Sequence, residues 1–165
     1  MMPRYDCSLW KLLKDGNGIN MSTRLQIMNK LLDGLLYLQS KGYSHLDVKP
    51  SNVMLNLTCG KWNGEDLVLI DFGLCSSHAK LRGYCGTPGF GSMEQFGGKP
   101  SQKSDNYSFG KTAVLILFDW QLGWNLLAEP LTDAEYKSHP MRNNVYGSMI
   151  VDLLQVGVNI FEINF

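Results

Sequence analysis

Three side chains in the segment His45-Leu46-Asp47-Val48-Lys49-Pro50-Ser51-Asn52 have types and spacing suited to handling a phosphoryl group. Such a transfer asks for positioning and charge neutralisation more than covalent work. A carboxylate, Asp47, can orient a hydroxyl and accept its proton. A cation two residues on, Lys49, can offset charge on a moving phosphate. An amide oxygen, Asn52, can hold a metal ion. A further carboxylate, Asp71, ends the apolar run Leu67–Ile70 and is followed by Phe72-Gly73, where a chain reversal leaves it free to chelate Mg²⁺ between phosphates.

These residues need elements to bring them together. Val53–Leu57 and Leu67–Ile70 read as two short strands of a hairpin, joined by a longish turn over Thr58–Asp66 that contains Gly60 and Asn63-Gly64. A hairpin would unite Asn52, before its first strand, with Asp71, after its second. Upstream, Leu25, Met28, Leu32, Leu35 and Leu36 recur at helical spacing, with Ser22 or Thr23 as the expected N-cap and Gly42 as the stop. The apolar content near Leu31–Leu38 predicts a helix buried on most sides. Residues 8–14 form a shorter amphipathic pattern ended by Gly16-Asn17-Gly18. Residues 71–104 read as a long ordered loop, and loops of that length in compact domains are usually functional. A mostly apolar helix is expected from Ser104 or Asp105 to about Phe118, and another over Val145–Val156.

His-x-Asp-x-Lys-x-x-Asn, a hairpin, then Asp-Phe-Gly resembles the catalytic and metal loops of protein kinases. Gly86-Thr87-Pro88-Gly89-Phe90 through Ser92-Met93-Glu94 resembles the family's substrate-docking loop, and Ser104-Asp105-x-Tyr107-Ser108-Phe109-Gly110 the start of its central helix. The ordered matches run from about residue 8 to 118. The resemblance implies a mainly α fold with small β-hairpins: a kinase-like C-terminal lobe, spanning 1–165 as a partial domain, without the N-terminal lobe. It implies Asp47 as catalytic base, Lys49 on the γ-phosphate, and Lys49 with Thr87 as marks of Ser/Thr specificity. It implies Asn52 and Asp71 as Mg²⁺ ligands and Met54 as the residue packed under the adenine of ATP. His45 and Phe72 would stack, and Asp105 would hold the catalytic-loop backbone. The partner implied is a protein substrate bearing Ser or Thr, with association through the apolar surface around Met54, Leu55 and Phe72 that an N-terminal lobe would cover.

The sequence also departs from the family. The Gly-rich phosphate-covering loop and the Val-Ala-Ile-Lys strand do not occur. Leu46 stands where many kinases carry Arg, which implies activity independent of activation-loop phosphorylation. Ile160-Phe161 stands where an Arg partner for Glu94 is expected. These departures keep a non-catalytic, pseudokinase-like binding module as the alternative. A small-molecule kinase of the aminoglycoside type is disfavoured, because such enzymes lack segments like Gly86–Glu94 and Ser104–Gly110.

Composition narrows the classes. Lys plus Arg equals Asp plus Glu at 15 each, with no basic run, so no nucleic-acid partner is expected. The apolar run Ala113–Phe118 is far shorter than the roughly 20 residues a membrane span needs. Met1-Met2-Pro3-Arg4 is followed by Asp6 and no apolar stretch, unlike a signal peptide. Cys7, Cys59, Cys75 and Cys85 form no Cys-x-x-Cys pair and are expected as free thiols, in keeping with a cytoplasmic or otherwise intracellular protein. Gly110-Lys111-Thr112 is similar to the end of a phosphate-binding P-loop, but Asp105 occupies the position of the required Gly and the residues fall at a helix start.

Overall fold

The computed structural model describes residues 5–15 and 19–118. The helix expected over Val145–Val156, the Gly16-Asn17-Gly18 breaker and the Ile160-Phe161 departure lie outside them. A two-residue strand β1 (Cys7–Ser8) runs into helix α1 (Leu9–Lys14), whose N-cap is the Ser8 hydroxyl, accepting from Lys11 N at 3.3 Å. Leu9, Leu12 and Leu13 are the buried stripe of α1.

Helix α2 (Met21–Ser40) begins one residue before the expected caps. Asn20 is the N-cap, and its Oδ1 accepts from Thr23 N at 2.8 Å. Asn satisfies orphan amides at least as well as Ser or Thr, so the expectation at Ser22 or Thr23 is corrected. The helix stops where Gly42 adopts φ 77°. Burial is one-sided rather than all-round: Ile27, Met28, Leu31, Leu32 and Leu35 face the core, while Tyr37 is 64% exposed. Leu35→Ala would open a cavity against the core and cost about 2–5 kcal/mol.

Strand β2 (Tyr43–Ser44) leads into residues 45–49, and a single 3₁₀ turn at Pro50–Asn52 precedes strand β3 (Val53–Thr58). Strand β4 (Lys61–Leu69) pairs with β3 antiparallel. The turn is therefore not Thr58–Asp66 but the two residues Cys59 and Gly60, with φ 51° and 76°. Two consecutive positive φ values are the mark of the tight turn whose twist matches a hairpin, and a register shift between Leu55 and Leu57 absorbs the residues read as loop. β1 adds to the other edge of β3, giving the order β1-β3-β4. Alternation sends Val53 and Leu55 fully into the core and Met54 to the opposite face.

The long loop carries a 3₁₀ turn at Phe72–Leu74, strand β5 (Ser76–Ser77) paired with β2, a second 3₁₀ turn at His78–Lys80, and the short helix α3 (Met93–Phe96). Helix α4 (Ser104–Leu117) is the centre of the core. All its residues except Tyr107 are buried, and the hydroxyls of Ser108 and Thr112 donate to the carbonyls one turn back, at 3.2 and 2.9 Å. Such bonds let polar side chains sit in a buried helix without orphaned groups. Gly110, Lys111 and Thr112 lie inside α4, as expected for residues that are no P-loop. Arg24 of α2 donates to the carbonyls of Ile116 and Phe118, tying the C-terminal end of α4 to α2. No helix among the described residues is long and apolar enough to cross a membrane. All four cysteines are free.

Candidate functional site

The segment between β2 and β3 is pinned from below before it offers any chemistry. Asp105, in the first turn of α4, is fully buried and accepts from His45 N at 2.6 Å and from Leu46 N at 2.7 Å. Leu46 takes φ 67°, a left-handed conformation that is costly for a residue with a Cβ. It persists because both its backbone groups are fixed. Asp105 holds its N–H, and Gln95 Nε2 donates to its carbonyl at 2.8 Å. Burial pushes the Asp105 carboxyl up, and the two amide bonds, from Leu46 and His45, oppose that shift. His45 Nδ1 accepts from Asp47 N at 3.3 Å, so the ring's Nε2 carries the proton it shares with the Ile70 carbonyl at 3.0 Å. The same ring meets Phe72 edge-on, with centroids 5.0 Å apart. His45 thus links the segment 45–52 to the start of the long loop.

Above this floor, four predicted site residues converge. Asp47 is buried, at 8% exposure. Lys49 Nζ lies 2.7 Å from Asp47 Oδ2 and donates to Thr87 Oγ1 at 2.7 Å. Thr87 donates in turn to Asp47 Oδ1. Asn52 Nδ2 donates to the Asp47 carbonyl at 2.9 Å and to Oδ2 at 3.0 Å. Burial alone would raise the Asp47 carboxyl. The hydrogen bonds from Lys49 and Thr87, the Lys49 charge and the Asn52 amide outweigh it and hold the group below its usual value. An ionised, hydrogen-bonded carboxylate beside a cation is placed to accept a hydrogen bond from a hydroxyl and so orient it.

Asp71 stands apart. It is exposed, sits at φ 63°, and its Oδ1 accepts one long bond, 3.4 Å, from Gly73 N. Ile70 N donates to the Asn52 carbonyl at 2.8 Å, so the hairpin does bring the ends of its two strands together. With Nδ2 committed to Asp47, the Asn52 amide oxygen is left for another partner. A free carboxylate and an uncommitted amide oxygen on adjoining strand ends are the donor types Mg²⁺ prefers, so the residues present fit that ion. No cluster of three or more His, Cys, Asp or Glu side chains that could hold a metal occurs among the described residues.

Asp71 and Met54 line a cavity of about 670 Å³ with Tyr5, Val68, Leu69, Ile70 and Phe72. Asp47, Lys49, Asn52 and Thr87 lie outside that lining. Around the cavity, Ile70 and Phe72 are 36% and 51% exposed, but Leu55, expected on the exposed surface, is fully buried. Strand alternation corrects that expectation, since Leu55 points away from Met54.

Sequence reasoning missed Gln95 and Tyr5. Ser92 and Gln95 form a capping box, in which Ser92 N donates to Gln95 Oε1 at 3.0 Å, and that arrangement presents the amide nitrogen to Leu46. The Ser-x-x-Gln spacing was a legible signal. A Cβ on Gly86, at φ 94°, would lie 2.7 Å from that nitrogen, so Gly86 is required for Gln95 to reach the loop. Nothing in the spacing around Tyr5 announced that it would line the cavity. Glu94 Oε2 is buried with no hydrogen-bond partner; the Arg position expected to pair with it lies outside the described residues.

The family described as the protein kinase domain matches residues 2–144. The dual serine/threonine and tyrosine protein kinase of Gallus gallus is 35% identical over 148 residues, covering 88% of the chain and 14% of that protein. The serine/threonine-protein kinase PknA of Nostoc sp. is 36% identical over 115 residues, covering 64% of the chain and 20% of that protein. The serine/threonine-protein kinase pkn2 of Myxococcus xanthus is 34% identical over 119 residues, covering 64% and 14%. The chain therefore spans a fifth or less of the length of these relatives.

Proposed function

The chain belongs to the protein kinase family, and from that membership we propose that it carries the catalytic loop of a Ser/Thr kinase, transferring the γ-phosphoryl group of ATP to a protein hydroxyl. The observation that carries this reading is the bonded set Asp47, Lys49, Thr87 and Asn52. Asp47 would take the place of base, releasing its Thr87 bond to an incoming substrate hydroxyl. Lys49 would turn from Asp47 to the γ-phosphate as charge develops there. Thr87, linked to both, would position the docking loop against the substrate and favour Ser or Thr over Tyr. Asn52 and Asp71 would hold Mg²⁺, which supplies charge neutralisation at the phosphates. Met54 would form the floor under the adenine in the cavity it lines with Tyr5 and Val68. The described residues would then correspond to the C-terminal lobe, and the lip of Ile70, Phe72 and Leu74 to the surface against which an N-terminal lobe closes.

The test is transfer of labelled phosphate from Mg-ATP to Ser-, Thr- and Tyr-containing peptides. It uses the chain fused behind a kinase N-terminal lobe, with nucleotide binding measured in parallel. Transfer to Ser or Thr and not Tyr is expected. Tight Mg-ATP binding without transfer to any peptide would replace this reading with a binding module.

A further inference from the structure

The peptide unit joining Leu46 to Asp47 is held at both edges. Its N–H donates to His45 Nδ1 at 3.3 Å, and its carbonyl accepts from Gln95 Nε2 at 2.8 Å. Gln95 comes from α3, 49 positions along the chain, and is fully buried. Both ends of its amide are used. Oε1 accepts from Ser92 N at 3.0 Å, and Nε2 also lies 3.8 Å from Cys85 Sγ, a weak acceptor for its second hydrogen. A flipped amide would set Oε1 against the Leu46 carbonyl and the NH₂ against the Ser92 N–H, so its partners fix the orientation. The same stretch of chain reaches Asp47 a second time. Thr87 follows the Gly86 that lies against Gln95, and it donates to Asp47 Oδ1. Residues 85–95 therefore grip Asp47 at two points: its carboxylate, through Thr87, and the peptide before it, through Gln95.

The two grips differ in what a substrate does to them. On the kinase reading proposed above, on which this inference rests, Asp47 exchanges its Thr87 bond for the substrate hydroxyl. That exchange removes one of the two ties just as the hydroxyl must be aligned. We propose that Gln95 is a positioning residue for phosphoryl transfer, its amide tethering residues 86–94 to the Asp47 peptide while Thr87 releases the carboxylate. The Gln95 bonds use no atom that the substrate, ATP or Mg²⁺ takes up, so they persist through the exchange. A substrate seated on residues 86–94 then presents its hydroxyl at a fixed distance from Asp47. A misplacement of about 1 Å can cost roughly 10²-fold in rate, so such a tether matters without touching the substrate.

Gln95→Glu isolates the tether. Glu keeps an oxygen for Ser92 N, and Ser-x-x-Glu is itself a capping box, so α3 keeps its N-terminus. The ionised carboxylate has no hydrogen to give the Leu46 carbonyl. Gln95→Met removes both bonds with little change of volume and replaces the Glu variant if that one does not fold; failure of both to fold makes Gln95 a folding residue and overturns the proposal. In the lobe-fused protein, the readout is phosphate transferred to a Ser/Thr peptide relative to phosphate released to water from Mg-ATP. That ratio does not depend on the fraction of protein folded. It should fall about tenfold or more, with KM for ATP within about twofold of wild type. An unchanged ratio overturns the proposal. Amide hydrogen exchange in the 165-residue chain is a second arm that needs no kinase activity. The Asp47 amide should exchange roughly tenfold faster in either variant, as its peptide loses the carbonyl partner, while the amides of α1 keep wild-type protection. Unchanged exchange at Asp47, or equal acceleration throughout the chain, overturns the proposal. If the wild-type fusion transfers no phosphate, the kinase reading fails, and the exchange arm still decides whether Gln95 holds Asp47.

Discussion

The two carboxylates that matter most, Asp47 and Asp71, live in opposite surroundings. Asp47 is buried and bonded to three side chains. Its position is set by Asp105 from α4 and by Gln95 from α3, which fix the backbone of the two residues before it. Asp71 is exposed, left-handed and held by one long bond to Gly73. One is organised by the fold before any ligand arrives. The other has donor oxygens with nothing strong to bind. A group that must orient a hydroxyl gains when the fold already holds it in place, because reorganisation would add to the barrier. A group that must accept a cation gains from having its lone pairs unspent. The contrast teaches that the fold by itself organises the Asp47 side and leaves the Asp71 oxygens open, as the proposed base and metal ligand would each require.

Breaking the organised side should have the largest effect. In the lobe-fused protein, Asp47→Asn should lower turnover by about 10²–10⁴-fold, the usual worth of a general base, with Mg-ATP affinity nearly unchanged. Phosphotransfer kinetics beside calorimetric binding reads both; full turnover in this variant would remove Asp47 as the base. Next in size is Asp105→Ala, which strands the His45 and Leu46 amides in the core and leaves the Leu46 left-handed turn unsupported. Each stranded donor costs about 1–3 kcal/mol, so urea unfolding should show a loss of several kcal/mol, or no cooperative fold at all. A loss below about 1 kcal/mol would mean that Gln95 and the β2–β5 pairing suffice.

The open side should respond in the reverse way. Asp71→Ala should weaken Mg²⁺-dependent nucleotide binding markedly, yet leave unfolding free energy within about 0.5 kcal/mol, as for a surface substitution. A large destabilisation would show that Asp71 is fixed by the fold after all. The smallest effect is on pH. The folded Asp47 pKa is depressed, so the stability its ionised form contributes is complete above the unfolded value, near 4, and is lost as pH falls through the lower folded value. The wild type should therefore lose stability more steeply than Asp47→Asn below about pH 4, measured by denaturant midpoints across acid pH. Parallel curves would contradict the depressed pKa.

Much of this was readable without coordinates, because the chemistry is local in the chain. Asp47, Lys49 and Asn52 lie within one short loop, and Asp71-Phe72-Gly73 follows an apolar run long enough to be a strand. The helices α2 and α4 announced themselves by apolar periodicity. What the sequence blurred were choices between near-equivalent local signals. Asn20, Ser22 and Thr23 can all cap a helix, and only packing of α2 selected Asn20. Cys59-Gly60 and Asn63-Gly64 can both turn a hairpin. Pairing Leu57 with Trp62 and Thr58 with Lys61 selected the first and turned the predicted loop into strand.

The amino-acid sequence by itself determined which groups could do chemistry, their order, and the family to which the chain belongs, since residue type and spacing are properties of the chain. Only the tertiary structure decided their state. Asp105 reaches the Leu46 amide across 59 positions, Thr87 reaches Asp47 across 40, and Gln95 reaches the Leu46 carbonyl across 49. No periodicity encodes those distances. They follow from burying α4 at the centre of the core and folding the long loop back over it, which brings Thr87 to the Lys49 and Asn52 bonds that keep Asp47 ionised against its burial and leaves Asp71 exposed.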